Sequence, residues 1–428
     1  MMKTKLALAA MIASLALAPA SAKPTKTSAK PKAAKVVKSK ASDKRAAAPA
    51  AKGKAAKGKG KAVAAAAEKP VQAQAPAPAS NEKRLDRRAD SLAMQYLTAL
   101  WRVDPEGGIA VGKFDAAASL TIPDAATRAK KLAFADEWLD KFRKIDTRQL
   151  SPRQRTDLAL LVNKLETDRW RLTTLREFEW NPAQYNIAQP LDLVLNTDYA
   201  AKPQRLRTIL KRLDNVPAYY QAAQASIVNP TREHTQLAIA QAPGTLVVLA
   251  DLGQAAQASI LNAREKALFA QRIAEAGSAV LGYVDFLTNL EKTQSASGRA
   301  RSFRLGKALY EQKFALEIQS ASSAEQTYRK ALAAREELLT RMNAIADELW
   351  PRYMANTSKP NDRFQKIGML IDRLSTRHVA RENFFPEIRR QIPLLQDWVI
   401  KNDLLTLDPG KQLEVRETPM YQRGVAGA

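Results

Sequence analysis

The sequence predicts a mainly α protein. A multi-helix domain spans residues 81–404, with a short β element inside 405–428; a signal peptide (1–22) and a disordered Lys/Ala/Pro-rich tether (23–80) precede it. Three observations predict this layout. Apolar residues recur every three to four positions through most of 81–404. Proline or a capping residue punctuates each such stretch. A single run, Leu413 to Thr418 after Asp408-Pro409-Gly410, reads as a strand.

The first 22 residues carry a basic start (Lys3, Lys5), an apolar stretch from Leu6 to Ala18, and the small-x-small site Ala20-Ser21-Ala22. The apolar stretch is shorter than the roughly 20 residues that cross a bilayer. No later run reads as a transmembrane segment. The sequence has 0 cysteines. There is no lipid-acceptor cysteine at the cleavage site, and no disulfide can form, so stability comes from packing. The expected location is periplasmic or secreted.

Residues 23–80 hold 14 Lys and one Arg against Asp43 and Glu68, a net charge of +13 out of +25 for the whole chain. They contain no aromatic residue. Such a composition buries too little apolar surface to offset the ~1–2 kcal/mol per residue lost on ordering a backbone. Two roles stay open for the arm. It is a grip on the anionic cell-envelope surface, or a solvated spacer held extended by its charge. Sequence-specific nucleic-acid binding is not expected.

Residues 103–123, with Gly107, Gly108, Gly112 and Pro123, read as a loop. Ser151 as N-cap and Pro152 at the first turn open a helix with Leu158, Leu161, Leu165, Leu172 and Leu175 on one face. A shorter helix follows from Pro203, striped by Leu206, Ile209, Leu210 and Leu213. Pro217 and Asn229-Pro230 separate the next ones. A long helix aligns Phe269, Ile273, Val280, Val284 and Leu287. Ser322 with Glu325 predicts a capping box for a helix whose Tyr328, Leu332, Leu339, Met342, Ile345 and Leu349 face inward. Phe364, Ile367, Ile371 and Leu374 stripe another, and Pro386 starts the last, with Ile388, Ile392, Leu395 and Val399. Pro393 removes one of its ladder hydrogen bonds.

Most catalytic signatures are absent. The chain has neither a G-x-x-x-x-G-K-[ST] nor a G-x-G-x-x-G phosphate loop, and no G-x-S-x-G elbow. Only two histidines are present, whereas a catalytic zinc takes three protein ligands and an open position. His378 and Glu382 are spaced i, i+4, which would place two ligands on one face of a continuous helix. By spacing, His378 also extends the stripe ending at Leu374, and a packed histidine is the favoured reading. His234 in "TREHTQL" reads as a capping or solvated residue. Glu336 and Glu337 are adjacent and diverge, so they make no acid/base pair. Trp170, Trp180, Trp350 and Trp398 sit in or beside apolar stripes and read as core rather than as a stacking platform. In "VRETPMYQRG", Arg416, Tyr421 and Arg423 cluster around the strand and turn. They are the candidate substrate-cleft residues, and a solvent-exposed strand end explains them equally well.

Four stretches, "LSPRQRTDLALLVNKLETDRWRLTTLREFEWNPAQYN", "GKALYEQKF", "RKALAAREELLTRMNAIADELWP" and "VRETPMYQRGVAGA", together resemble the bacterial family called domain of unknown function 885. The resemblance runs from about residue 85 to the last residue. It implies an exported, mostly helical protein similar to zinc metallopeptidases, with zinc expected for the full-length family. The family's His-Glu-Ala-x-Pro-Gly-His stretch lies C-terminal to the segment matching "VRETP", and no position here matches it. The resemblance therefore assigns no catalytic, metal or cofactor residue to this chain, and a peptide substrate only with that further part. The expectation is the N-terminal helical portion of a zinc-peptidase-like protein, truncated and inactive as it stands. The alternative is a complete, non-enzymatic envelope-binding module anchored to polyanions by its Lys-rich arm.

Overall fold

The computed structural model of the protein describes residues 78–298, 300–410, 413 and 415–424. The expected signal peptide and the expected tether up to residue 77 lie outside the described residues. The chain divides into two units at Ser80–Asn81. The described residues of the first unit are 78–80, the opening of a helix; all others belong to the second.

Thirteen α-helices are described: α1 (Pro78–Val103), α2 (Pro105–Ala110), α3 (Ala125–Arg143), α4 (Pro152–Trp170), α5 (Ala188–Asn196), α6 (Lys202–Leu213), α7 (Val216–Ser226), α8 (Arg232–Gln257), α9 (Ala263–Ser297), α10 (Lys307–Ile318), α11 (Ala324–Tyr353), α12 (Arg363–Ser375) and α13 (Phe384–Lys401). The mainly α expectation stands. Residues 103–123 are less irregular than their glycines suggest. Gly107 and Gly108 lie inside α2, and the Lys113 N–H returns to the Gly108 carbonyl at 2.8 Å.

The core forms where helical stripes find partners. On α6, Leu206, Ile209, Leu210 and Leu213 are all buried. They pack with Leu191 and Val194 of α5, Leu249 and Leu252 of α8, and Phe269, Val280 and Leu287 of α9. A second cluster joins α1, α3 and α4 around Tyr96, whose ring lies 5.4 Å from Trp138 and 5.5 Å from Phe142. Caps set the helix starts: Ser151 accepts from the Gln154 N–H ahead of Pro152, and Asn262 with Glu265 forms a reciprocal box on α9.

Five expectations are corrected. The box on α11 uses Ser323 and Gln326, one residue later than the pattern suggests. Tyr328, Leu332, Met342 and Ile345 are exposed, and only Ala346 and Trp350 are buried. α12 covers only the C-terminal half of α11, through Ile367 and Leu370, so the outer half of the stripe has no partner there. His378 is exposed, because α12 ends at Ser375 and the helical spacing breaks before reaching it. Its Nδ1 sits 3.0 Å from the Val379 carbonyl oxygen, and no continuous helix connects it to Glu382. α13 begins two residues before Pro386 and buries none of its side chains, leaving Trp398 57% exposed rather than in a core.

The strand expected at Leu413–Thr418 is the fifth. Among the described residues there is no strand, and 413 and 415–419 are coil leading into a single 3-10 turn, Met420–Gln422. A strand needs a neighbour to complete its ladder, and this segment instead docks on a helix. Tyr421 is buried in the main core, and its hydroxyl donates to Asp192 Oδ2 at 2.9 Å. The docking point is Gly244 of α8, directly after Pro243. A Cβ at Gly244 would press on the Tyr421 backbone nitrogen and lie 2.7 Å from the Met420 carbonyl carbon. Only glycine admits the segment at that distance.

Candidate ligand cleft

A cleft of about 730 Å³ opens beside Trp180 and His234. Its floor follows from how α4 ends. The helix loosens into a π-turn, Arg171–Leu175, and is closed by Arg176 in the left-handed region at φ 51°. The chain then folds back so that Trp180 Nε1 donates to the Leu175 carbonyl at 2.9 Å. The Trp180 carbonyl in turn accepts from the Thr231 N–H at 3.1 Å, which ties this turn to the start of α8.

Thr231 is the N-cap of α8, and His234 lies in its first turn. Thr231 Oγ1 accepts from the His234 N–H and lies 2.6 Å from His234 Nδ1. Which of the two donates in this contact depends on the ring tautomer, since the hydroxyl can both donate and accept. Burial pushes the His234 pKa down, and Glu177 and Glu233 partly oppose it. The imidazole packs edge-on to Trp180 at 5.5 Å and beside Phe303 at 5.3 Å, and the Arg301 guanidinium lies 5.0 Å from the Trp180 ring centre.

The lining continues with the segment 303–307 and helix α10, which together include "GKALYEQKF". α10 is fixed to α4 by Trp170 Nε1 donating to Gln312 (2.8 Å), Asn163 Nδ2 donating to the Leu316 carbonyl (2.9 Å) and the Arg171–Glu317 pair (2.7 Å). The first turn of α11 adds Glu325 and Tyr328. Three rings stand open around the cleft: Phe303, Tyr310 and Tyr328, at 55%, 51% and 61% exposure. Glu325 pairs with Arg329 and Lys313 with Glu317. Among the described residues, Arg304, Lys307, Glu177 and Glu311 also line the cleft but take no part in an ion pair.

Since the His234 pKa is lowered on folding, the unfolded chain holds more protons just below its ordinary value of about 6.5. The contribution of neutral His234 to stability is complete above that pH and declines as pH falls through it, until the folded residue protonates. Denaturant titrations at several pH values should therefore show the stability gap between wild type and His234→Gln narrowing below pH ~6.5. A gap that widens on acidification would reverse the assigned state.

The three residues singled out from sequence share one segment but do not line this cleft. Tyr421 is buried in the main core, and burial together with Asp192 pushes its phenol up. Arg423 is exposed, pairs with Glu417 at 2.9 Å and donates through Nε to the Thr418 carbonyl. Arg416 is exposed and close enough to Tyr421 to act on its phenol. Among the described residues no three His, Cys, Asp or Glu side chains are grouped so as to hold a metal ion.

A family model described as bacterial protein of unknown function (DUF885) matches residues 105–428. The chain belongs to the DUF885 family. A solved structure, described as a candidate lipoprotein of unknown function from Shewanella oneidensis, is similar to this DUF885 chain at 38% sequence identity and a TM-score of 0.67. The match covers 77% of this chain and 60% of that one, so the DUF885 chain here spans about 60% of the length of its structural relative. No curated protein matches the chain.

Proposed function

We propose that this DUF885 chain is the helical, substrate-binding portion of an exported peptidase-like protein, and that the Trp180–His234–Phe303 cleft receives the peptide. The cleft carries the reading. Its volume lies in the ~300–1,000 Å³ range of small-molecule sites, and it offers apolar rings with a few placed polar groups, as such sites do. Export is supported by the Lys3/Lys5 start and apolar Leu6–Ala18 stretch, and by a relative described in terms of a lipoprotein. Hydrolysis belongs, in this reading, to the zinc-binding stretch of the family, which no residue of this sequence matches.

The test combines binding with turnover. Mixed tri- to pentapeptides added to the full chain should change tryptophan fluorescence saturably, and Trp180→Phe should remove that change. Zinc should not bring about peptide hydrolysis by this chain. Absence of any saturable change, or zinc-dependent cleavage, would overturn the reading.

The net charge of +13 on residues 23–80 supports a second role for the same protein, retention at an anionic envelope surface. Binding to vesicles rich in anionic lipid should fall steeply between low salt and 0.15 M, where screening acts over about 8 Å. Deleting 23–80 should abolish it. Binding that survives both changes would assign the arm a spacer role only.

A further inference from the structure

Resting on the peptide-binding reading, we infer that the cleft selects a zwitterionic ligand with an aromatic side chain: a short peptide with free termini, or a single aromatic amino acid. Two independent features of the lining lead there. The first is aromatic. Phe303, Tyr310 and Tyr328, each more than half exposed, line the cleft together with buried Trp180 and half-buried His234. Rings pair best edge-on or offset, at ~4.5–7 Å between centres. The floor already has this geometry, with Trp180, His234 and Phe303 spaced at 5.5 and 5.3 Å. A further ring entering between Phe303 and Tyr328 continues the same packing.

The second feature is charge of both signs. Among the described residues, Arg304 and Lys307 take part in no ion pair, and neither do Glu177, which accepts from Asn181, and Glu311 in the same lining. Elsewhere along this lining opposite charges pair off, as Lys313 does with Glu317 and Glu325 with Arg329. A ligand carrying one carboxylate and one ammonium group completes both sets. A uniformly charged ligand would satisfy one set and face repulsion from the other.

The experiment is calorimetric titration of the full chain with Ala-Phe-Ala, Ala-Ala-Ala, and Ala-Phe-Ala blocked at both ends by acetyl and amide groups. Free phenylalanine tests the single-residue form. Ala-Phe-Ala should bind about tenfold more tightly than Ala-Ala-Ala, the factor one good aromatic contact supplies. Blocking the termini should weaken it by a similar factor. Phe303→Ala and Tyr328→Ala remove exposed rings, so the fold is retained, as circular dichroism will check. Each should cut Ala-Phe-Ala affinity severalfold and leave Ala-Ala-Ala nearly unchanged.

Peptides that bind with no preference for the ring or the free termini would overturn this inference and leave the peptide-binding reading in place. Ala-Phe-Ala binding that is indifferent to both variants would do the same, because the site would lie elsewhere. Failure of every peptide to bind would remove both.

Discussion

Replacing Glu106 with alanine should cost about 3–5 kcal/mol of folding stability, the effect of stripping the partner from a buried charge. Arg212 of α6 is 1% exposed, and burial alone would push its pKa down. Glu106 of α2 opposes that, with Oε1 2.7 Å from Arg212 Nη2. The same carboxylate accepts from the Thr121 N–H at 3.1 Å and from its hydroxyl at 2.8 Å, binding the 111–123 turn to the core. Arg212 also donates to the Ser119 and Ala117 carbonyls. Glu106→Ala leaves the guanidinium without its counter-charge in a low-dielectric site. The double variant Glu106→Gln with Arg212→Met, which removes both charges and keeps an acceptor for Thr121, should cost clearly less, since replacing a whole buried ion pair by uncharged groups is often tolerated. Urea unfolding of both variants checks the ordering. Equal costs would show that packing, rather than the stranded charge, dominates.

The second large effect is at the C-terminal segment. Gly244→Ala should lower stability by about 1–3 kcal/mol, the usual range for overpacking. Helix propensity acts in the opposite direction, favouring alanine by about 1 kcal/mol in a helix interior. The steric term wins because the added Cβ meets backbone, 2.7 Å from Met420 C and Tyr421 Cα, which cannot rotate away as a flexible side chain could. Tyr421→Ala should itself cost about 3–5 kcal/mol as a buried aromatic truncation. It should also reduce the cost of Gly244→Ala, because the two residues share one contact. Thermal unfolding of the single and double variants reads this directly. A stabilised Gly244→Ala protein would mean that the segment does not dock there.

How much the sequence discloses depends on whether the information is local. Ser151-Pro152 identifies a helix start because cap and first-turn chemistry act within a few residues, and all four stripe residues of α6 are buried because their spacing alone defines a face. The stripes of α11 and α13 are just as regular, yet Leu332, Met342, Leu395 and Trp398 are exposed. Periodicity says which side a helix would bury and nothing about what is there to bury it against. The run read as a strand is coil at 413 and 415–418 for the same reason.

The cleft is less legible still. Trp180 reads as core, and it is buried, but its edge forms the floor beside His234. The cap spacing of Thr231 and His234 is visible as a helix start, and Tyr310 with Phe314 is visible at i, i+4. Only the fold shows that a left-handed turn at Arg176 carries Trp180 to that helix start, and that α10 lines the same cleft. Tyr421, expected beside substrate, is consumed by packing with Gly244, a residue whose lack of a side chain gives no signal of its partner.

Amide hydrogen exchange on the full chain, with and without saturating Ala-Phe-Ala, is the most direct test of the cleft as the binding site. The expected result is slowed exchange confined to the lining, at 177–180, 303–313 and 324–328, with α6 and the 415–424 segment unaffected. Protection placed elsewhere, or a bound peptide that protects none of these amides, would contradict it.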